Sequence, residues 1–161
     1  MRFKPLPTQE KLQELFEYDD ERGALIWKVS RGSQKAGVVA GYIKKNGRIY
    51  INVDRIKYLA NRLMWMFHTG EDPGDLLVDH KNEDPSDNHI ENLRLATDGQ
   101  NHINVSKTKG YSLRKATGKY QAQIKMDGDS IHLGYFSRKE DARAAYVKKA
   151  RELFGEFAPA C

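Results

Sequence analysis

The sequence predicts an α+β protein built from two modules, and three observations carry that expectation. Short alternating apolar segments are joined by tight-turn dipeptides, Asn46-Gly47 and Asp127-Gly128, which read as antiparallel hairpins. Helical spacing of apolar residues is confined to a few stretches between them. The charge is unevenly placed. Residues 1–105 carry 15 Lys+Arg against 16 Asp+Glu, a net of −1, and residues 106–161 carry 12 against 6, a net of +6, which together give the chain's +5. The excess positive charge is thus assigned to the last third, a split that suggests two functional units, one of them for a polyanion. Domains are expected at 1–105 and 106–161. The polar stretch Val105-Ser106-Lys107-Thr108-Lys109-Gly110 reads as the linker.

The elements follow in order. Residues 8–17 place Leu12, Leu15 and Phe16 at helical spacing behind a Thr8 N-cap. Asp19–Gly23 form a turn, and Ala24–Trp27 a short strand. Residues 38–44 and 49–53 are the arms around Asn46-Gly47. Residues 56–69, with Leu59, Leu63, Met64, Met66 and Phe67, read as a helix ending near Gly70. Leu76-Leu77-Val78 is a short strand that stops at Asp79-His80. A polar loop rich in Asn and Asp runs from Lys81 to Asn88, Leu93–Ala96 is a second strand, and Thr97 caps a short helix.

In the last third, Tyr111–Lys115 reads as a strand. Residues 119–126 and 129–136 form a hairpin that pairs Ile124 with Ile131, Ala122 with Leu133 and Tyr120 with Tyr135. Ser137 and Glu140 match a capping box for a helix whose apolar face includes Ala142, Tyr146, Ala150, Leu153 and Phe154. Three strands under one helix leave a polar sheet face for a partner.

Composition excludes several classes. No ~20-residue apolar run is present, so no membrane span is expected. The amino terminus has no apolar core segment of the kind a signal peptide needs. Cys161 is the single cysteine, which rules out an internal disulfide or a multi-cysteine zinc site and fits an intracellular, cytoplasmic location.

The chemistry concentrates in three places: Val78-Asp79-His80, Ile90–Arg94 with Asn92, and Gln100-Asn101-His102. A strand, loop, strand and helix can bring a carboxylate, an imidazole and carboxamides together. Oxygen donors from Asp and Asn suit Mg²⁺ or Mn²⁺, and a neighbouring His outside the ligand set can take a proton from water. His68, His89, Trp27 and Trp65 read as structural residues.

The stretch LLVDHKNEDPSDNHIENLRLATDGQNHIN, with the Tyr18–Trp27 opening, resembles His-Asn-His (HNH) homing-type endonucleases of phages and group I introns over roughly residues 10–105. The resemblance implies a ββα-metal fold and hydrolysis of a DNA phosphodiester. It implies that His80 is the general base, that Asp79 and Asn101 hold one divalent cation, and that Asn92 braces the loop and orients His80. The third family position is often His. Here Asn101 occupies it, with His102 next door. Many relatives also carry His where Asn61 precedes Arg62.

Residues 106–158 resemble the three-stranded DNA-binding domain of plant ethylene-response factors, the Apetala family. The likeness lies in Lys109-Gly110-Tyr111, Gly118–Ile124, Leu133–Phe136, Glu140-Asp141-Ala142, Ala144–Tyr146 and Phe154–Ala158. It implies that Arg114, Lys119, Gln121, Gln123, Lys125 and His132 face double-stranded DNA in the major groove. The combined expectation is a site-specific DNA endonuclease that acts as a monomer or transient dimer, without a small-molecule cofactor. The other readings are a catalytically silent DNA-binding protein and an RNA-binding or RNA-processing protein. An absence of exposed aromatics at 119–125 counts against RNA.

Overall fold

The computed structural model describes residues 3–104, 109–126 and 128–158, the side chains of 102–104 excepted. Residues 105–108 of the expected linker at 105–110, Asp127 of the second turn and Cys161 lie outside the described residues. The chain forms two compact units, residues 1–96 and 97–161, so the short helix at 98–104 groups with the second.

The first unit opens with α1 (Gln9–Leu15). Thr8 caps it, its hydroxyl accepting from the Lys11 N–H at 3.3 Å. Strands β1 (Phe16–Asp19) and β2 (Ala24–Trp27) follow as an antiparallel hairpin, with Asp19 opposite Ala24. A second sheet has the order β3-β4-β5, from β3 (Tyr42–Ile43), β4 (Ile49–Val53) and β5 (Ile56–Leu59). Helix α2 (Ala60–Thr69) comes next and ends at Gly70, which takes the left-handed conformation (φ +74°) while its N–H returns to the Met66 carbonyl.

The expected helix at 56–69 is therefore only its second part. Residues 56–59 pair with β4, Ile51 opposite Tyr58 and Val53 opposite Ile56. Asp54 and Arg55 both have positive φ, +49° and +66°. Two successive residues of that kind make the tight loop whose twist matches a hairpin. The turn forms without the Asn-Gly signature, which is why a helical reading of this stretch overlooks it. Similarly, only Tyr42–Ile43 of the expected 38–44 strand is regular, although Val39 bridges to Ile26.

Helix α2 runs through the middle of this unit. Leu63 and Met64 are almost wholly buried among Leu12, Phe16, Leu25, Ile51 and Val53. Burial of such side chains stabilises by roughly 1.5–3 kcal/mol each. Strands β6 (Leu77–His80) and β7 (Leu93–Ala96) form the last hairpin of the unit, bringing Val78 and Leu93 into the same core.

The second unit holds α3 (Asp98–Asn104), β8 (Tyr111–Arg114), β9 (Lys119–Met126), β10 (Asp129–Phe136) and α4 (Lys139–Phe154). The sheet order is β10-β9-β8, all antiparallel, and α4 covers its apolar face through Ala142, Tyr146, Val147 and Ala150. Ile124 pairs with Ile131 as the alternation predicts. Beyond that, a bulge between His132 and Gly134 shifts the register by one. Ala122 then lies opposite Gly134 and Tyr120 opposite Phe136. Gly134, at φ +127°, takes a backbone angle unfavourable to other residues. Helix α4 begins one residue later than the capping box suggests, with Arg138 at the N-cap and no side-chain cap bond.

Candidate functional site

The β6–β7 hairpin positions the charged cluster. Four backbone pairs set its register, with Asp79 opposite Arg94 and His80 opposite Leu93. The strands are joined by a twelve-residue loop, 81–92, whose composition explains its shape. Asn and Asp side chains accept from backbone N–H groups two positions onward: Asn82 from Asp84 (2.9 Å), Asp84 from Ser86 (2.9 Å) and Asp87 from His89 (3.3 Å). Such local turns replace sheet bonds and let a polar loop stay ordered. The Ser86 hydroxyl and N–H, both donating to Oδ1, hold the Asp84 carboxyl below its usual pKa.

Asn92 closes this loop. Its amide donates to the Asp87 carbonyl at 2.8 Å and to Asn82 Oδ1 at 3.0 Å, while its own Oδ1 accepts from the Asn82 N–H at 3.1 Å. Its carbonyl accepts from the Lys81 N–H at 2.9 Å. A hydrogen bond onto the His80 ring comes from Asn88, whose Oδ1 lies 3.0 Å from Nε2. Asn88 is 3% exposed, and its amide nitrogen faces the Ser86 carbonyl at 3.4 Å. That contact orients the amide with its oxygen toward the ring. An amide oxygen only accepts, so Nε2 carries the proton and Nδ1 holds the lone pair in the neutral ring.

Asp79 is buried, and Arg94 Nε donates to its Oδ2 at 3.1 Å. Both side chains are less than a tenth exposed, so the two form a buried ion pair. Arg94 and Asn88 are absent from the sequence-level candidates. The signal for Arg94 is a lone cation in the alternating Leu93-Arg94-Leu95 segment; Asn88 is one of several Asn in the loop and nothing local distinguishes it.

Asn61 and Arg62 support the strand from below. Asn61 Nδ2 donates to the Val78 carbonyl at 2.7 Å, next to Asp79. Arg62 is 3% exposed and donates to the Leu76 and Gly74 carbonyls at 2.7 and 2.8 Å. The amide at position 61 is thus a buried prop for β6.

His89 ties the loop to the opening hairpin. Its Nδ1 lies 2.5 Å from Asp87 Oδ1 and its Nε2 3.1 Å from the Asp20 carbonyl. The Asp87 bond raises the His89 pKa above its usual value and lowers that of Asp87. A Cβ on Gly23 would come within 2.7 Å of this imidazole, so the β1–β2 turn requires glycine there. His68 sits at the end of α2, edge-on to Tyr18 at 4.4 Å, with burial lowering its pKa. Trp27 packs on Phe16, ring centroids 4.3 Å apart.

Asn101 lies on α3, its N–H donating to the Thr97 carbonyl at 3.0 Å. Thr97 and Gln100 make the reciprocal cap bonds of that helix start, at 2.8 and 3.2 Å. The His102 side chain is outside the described residues. Among the described residues, no group of three or more His, Cys, Asp or Glu gathers as a metal cluster. A carboxylate with carboxamide oxygens fits a small hard cation that keeps waters in its shell, and does not fit zinc.

In the second unit, the outward face of the sheet carries a connected polar row. Arg114 Nε donates to Gln121 Oε1 at 2.7 Å, and Gln121 Nε2 lies 3.3 Å from His132 Nδ1. Lys119, Gln123 and Lys125 are exposed on β9, while Gln121 is half-buried. The bulge adds Tyr135 to this face. It is 52% exposed, sits opposite Gln121 and packs on the His132 ring at 4.7 Å. The polar face therefore does include an exposed aromatic, contributed by β10 and hidden from an alternation count.

Residues 58–103 match the HNH endonuclease family model. The matched span includes Asp79, His80, Asn88, Asn92, Arg94 and Asn101. The chain is also 32% identical over 120 residues to an uncharacterized HNH endonuclease of Acanthamoeba polyphaga mimivirus. The aligned region is 73% of this chain and 64% of that protein, so the chain spans just under two thirds of its relative. No solved structure matches the chain. The match to Apetala-type domains is not among these findings.

Proposed function

With an HNH endonuclease domain at residues 58–103 as the premise, we propose that the protein is a site-specific DNA endonuclease. It hydrolyses a phosphodiester in the first unit and grips duplex DNA with the sheet of the second. The observation that carries the reading is the His80–Asn88 hydrogen bond beside the buried Asp79.

His80 acts as general base. With its Nε2–H committed to Asn88, the Nδ1 lone pair accepts a proton from the attacking water. Asn92 holds loop 81–92 closed, and Asn61 fixes the height of β6 through the Val78 carbonyl. Asp79 is the cation-binding carboxylate, and Arg94 sets its orientation. Asn101 is the second oxygen donor in the family pattern. Asp79 and Asn101 would hold a Mg²⁺ or Mn²⁺, which would supply charge stabilisation to the hydrolysis. The remaining steps rest on positioned side chains: His80 takes the proton, and the loop keeps the ring aimed.

The second unit is an Apetala-type DNA-binding module in this reading. Arg114, Lys119, Gln121, Gln123, Lys125 and His132 line the face that meets the major groove. Lysines contact phosphate or guanine, and glutamines pair with adenine edges. Protein purified free of metal and returned to Mg²⁺ or Mn²⁺ is expected to cut duplex DNA, with His80→Ala slower by about 10²–10⁴-fold. Equal cutting by the variant sinks the mechanism. Preferential binding of single-stranded RNA over duplex DNA favours the RNA reading instead, for which exposed Tyr135 offers a stacking surface.

A further inference from the structure

The near-zero charge of residues 1–105 conceals a strongly basic segment. Residues 28–57 hold eight Lys and Arg against a single acid, Asp54, a net of +7, which leaves −8 for the rest of that stretch. The excess positive charge is therefore not confined to the last third. These 30 residues are the loop after β2 and the β3-β4-β5 sheet.

The sheet sorts the charge by face. Ile49, Ile51 and Val53 of β4 turn toward α2, and Tyr50 and Asn52 turn outward. Pairing places Tyr42 beside Tyr50 and Lys57 beside Asn52 on that outer face. The two tyrosine rings stack at 6.2 Å, and the Lys44 and Lys57 ammonium groups sit 4.8 and 5.5 Å from the Tyr50 ring centroid. Ring contacts hold the lysine stems without neutralising their charge. Among the described residues, no carboxylate forms an ion pair with Lys44, Lys57 or Arg48, whereas Asp54 is already engaged by Arg31 at 2.9 Å.

Beside this face runs a groove. Two adjoining clefts of about 640 and 260 Å³ share Trp27, Ser33, Gln34 and Asn52, and carry Arg31 and Arg55 at one end and Lys35 and Tyr42 at the other. The hairpin tip between β3 and β4 then leads to the candidate site. Gly47 lies so close to Pro85 of loop 81–92 that a Cβ there would approach Pro85 Cγ to 2.7 Å. A basic ridge, a polar groove and the loop that holds His80 are thus contiguous within one unit.

We infer that the outer face of β3–β4–β5, with the groove beside it, binds the phosphate backbone of duplex DNA flanking the cleavage site. This rests on the nuclease reading for its choice of duplex DNA. It adds a contact surface distinct from the second unit's sheet. The charge complementarity is direct, because each lysine or arginine that meets a phosphate releases condensed counterions.

The test uses the full chain with metal chelated, so that it reads binding without cleavage. Wild type, a Lys44→Ala/Arg48→Ala/Lys57→Ala variant, and a control Lys139→Ala/Lys148→Ala/Arg151→Ala from exposed positions of α4 are titrated against a fluorescent DNA duplex at several salt concentrations. Thermal melting checks that each variant folds, and Lys44→Arg/Lys57→Arg supplies a variant that keeps the charge. The expected result is an affinity loss of about 10-fold or more for the sheet variant. Its salt slope should be shallower by about 2–3, since each lost phosphate contact removes about 0.9. The control and the arginine variant should stay near wild type. Affinity and slope equal to wild type, or a loss no larger than the control's, overturns the inference. His80-dependent cleavage is measured separately, so failure of the nuclease reading and failure of this surface give different results.

Discussion

His80 Nε2 lies 3.0 Å from Asn88 Oδ1, and Asn88 is almost sealed from solvent. The bond spans eight residues of a loop held by side chains that bond their own backbone. It fixes both the direction of the imidazole and which nitrogen carries the proton. Asn88→Ala is expected to lower the single-turnover cleavage rate by about 10–100-fold, the usual cost of losing a group that orients a functional side chain. DNA affinity should change little. A rate within twofold of wild type contradicts the assignment.

The supports under β6 predict a stability effect. Asn61→Leu keeps the volume but removes the donor to the Val78 carbonyl and the acceptor for the Arg62 N–H at 2.9 Å. Leaving buried polar groups unpaired costs about 1–3 kcal/mol. Urea unfolding of the variant should show that loss, with an unchanged slope against denaturant.

His89 predicts a pH dependence. Its pKa is raised above the usual 6.5 by the Asp87 carboxylate, so its contribution is complete below 6.5. The contribution is lost as pH rises through the raised folded value. Asp87 is lowered, so its share persists above the carboxylate range and is lost on acidification through the lowered value. Both are present near pH 6. The difference in Tm between wild type and His89→Gln should be larger at pH 6 than at pH 9. An equal gap at both values contradicts the linkage.

Gly110 lies against the Tyr146 ring with φ +72°, and a Cβ there would fall 2.1 Å from Cγ of that ring. Tyr146 is 2% exposed and cannot step aside. Gly110→Ala adds the cost of a left-handed alanine to that of overpacking, about 2–4 kcal/mol together. Thermal melting should show the second unit losing its transition, or shifting it well downward.

The polar row of the second unit separates two kinds of DNA contact. Gln121→Ala breaks the link between Arg114 and His132 and is expected to relax base preference at one position by about 1–3 kcal/mol. Lys119→Ala and Lys125→Ala should weaken all duplexes alike and reduce the salt slope by about 1 each. Binding measured on a set of single-base variants distinguishes the two patterns.

Much of the first unit is legible where the signal is local. Thr8 caps α1, Gly70 ends α2, and the Asn-Asp run of 81–92 makes its own turns because each side chain reaches a backbone group two residues away. The Asp79-His80 pair is visible as the end of a strand. Residues 56–59 are misread as helix because their partner is β4, and the intervening turn uses Asp54-Arg55. In β10, Gly134 is a local sign of a bulge that the strict alternation passes over, and the slip at Leu133 moves Tyr135 onto the polar face.

The sequence by itself determined the Thr8 and Thr97 caps, the Gly70 stop, the Asn46-Gly47 turn and the order of Asp79, His80, Asn92 and Asn101, because these depend on neighbours along the chain. Only the tertiary structure decided that Asn88 holds the His80 ring, that Arg94 bonds Asp79, and that Gly47 presses on Pro85. Each of those contacts joins residues separated by a loop or a strand. Their energies come from burial and from satisfying polar groups that the intervening fold has already removed from water. Net charge shows the same division: counted along the chain it gives a basic last third and a net of +7 over residues 28–57, but only the strand pairing of β3–β4–β5 gathers Lys57, Tyr50 and Tyr42 onto one face.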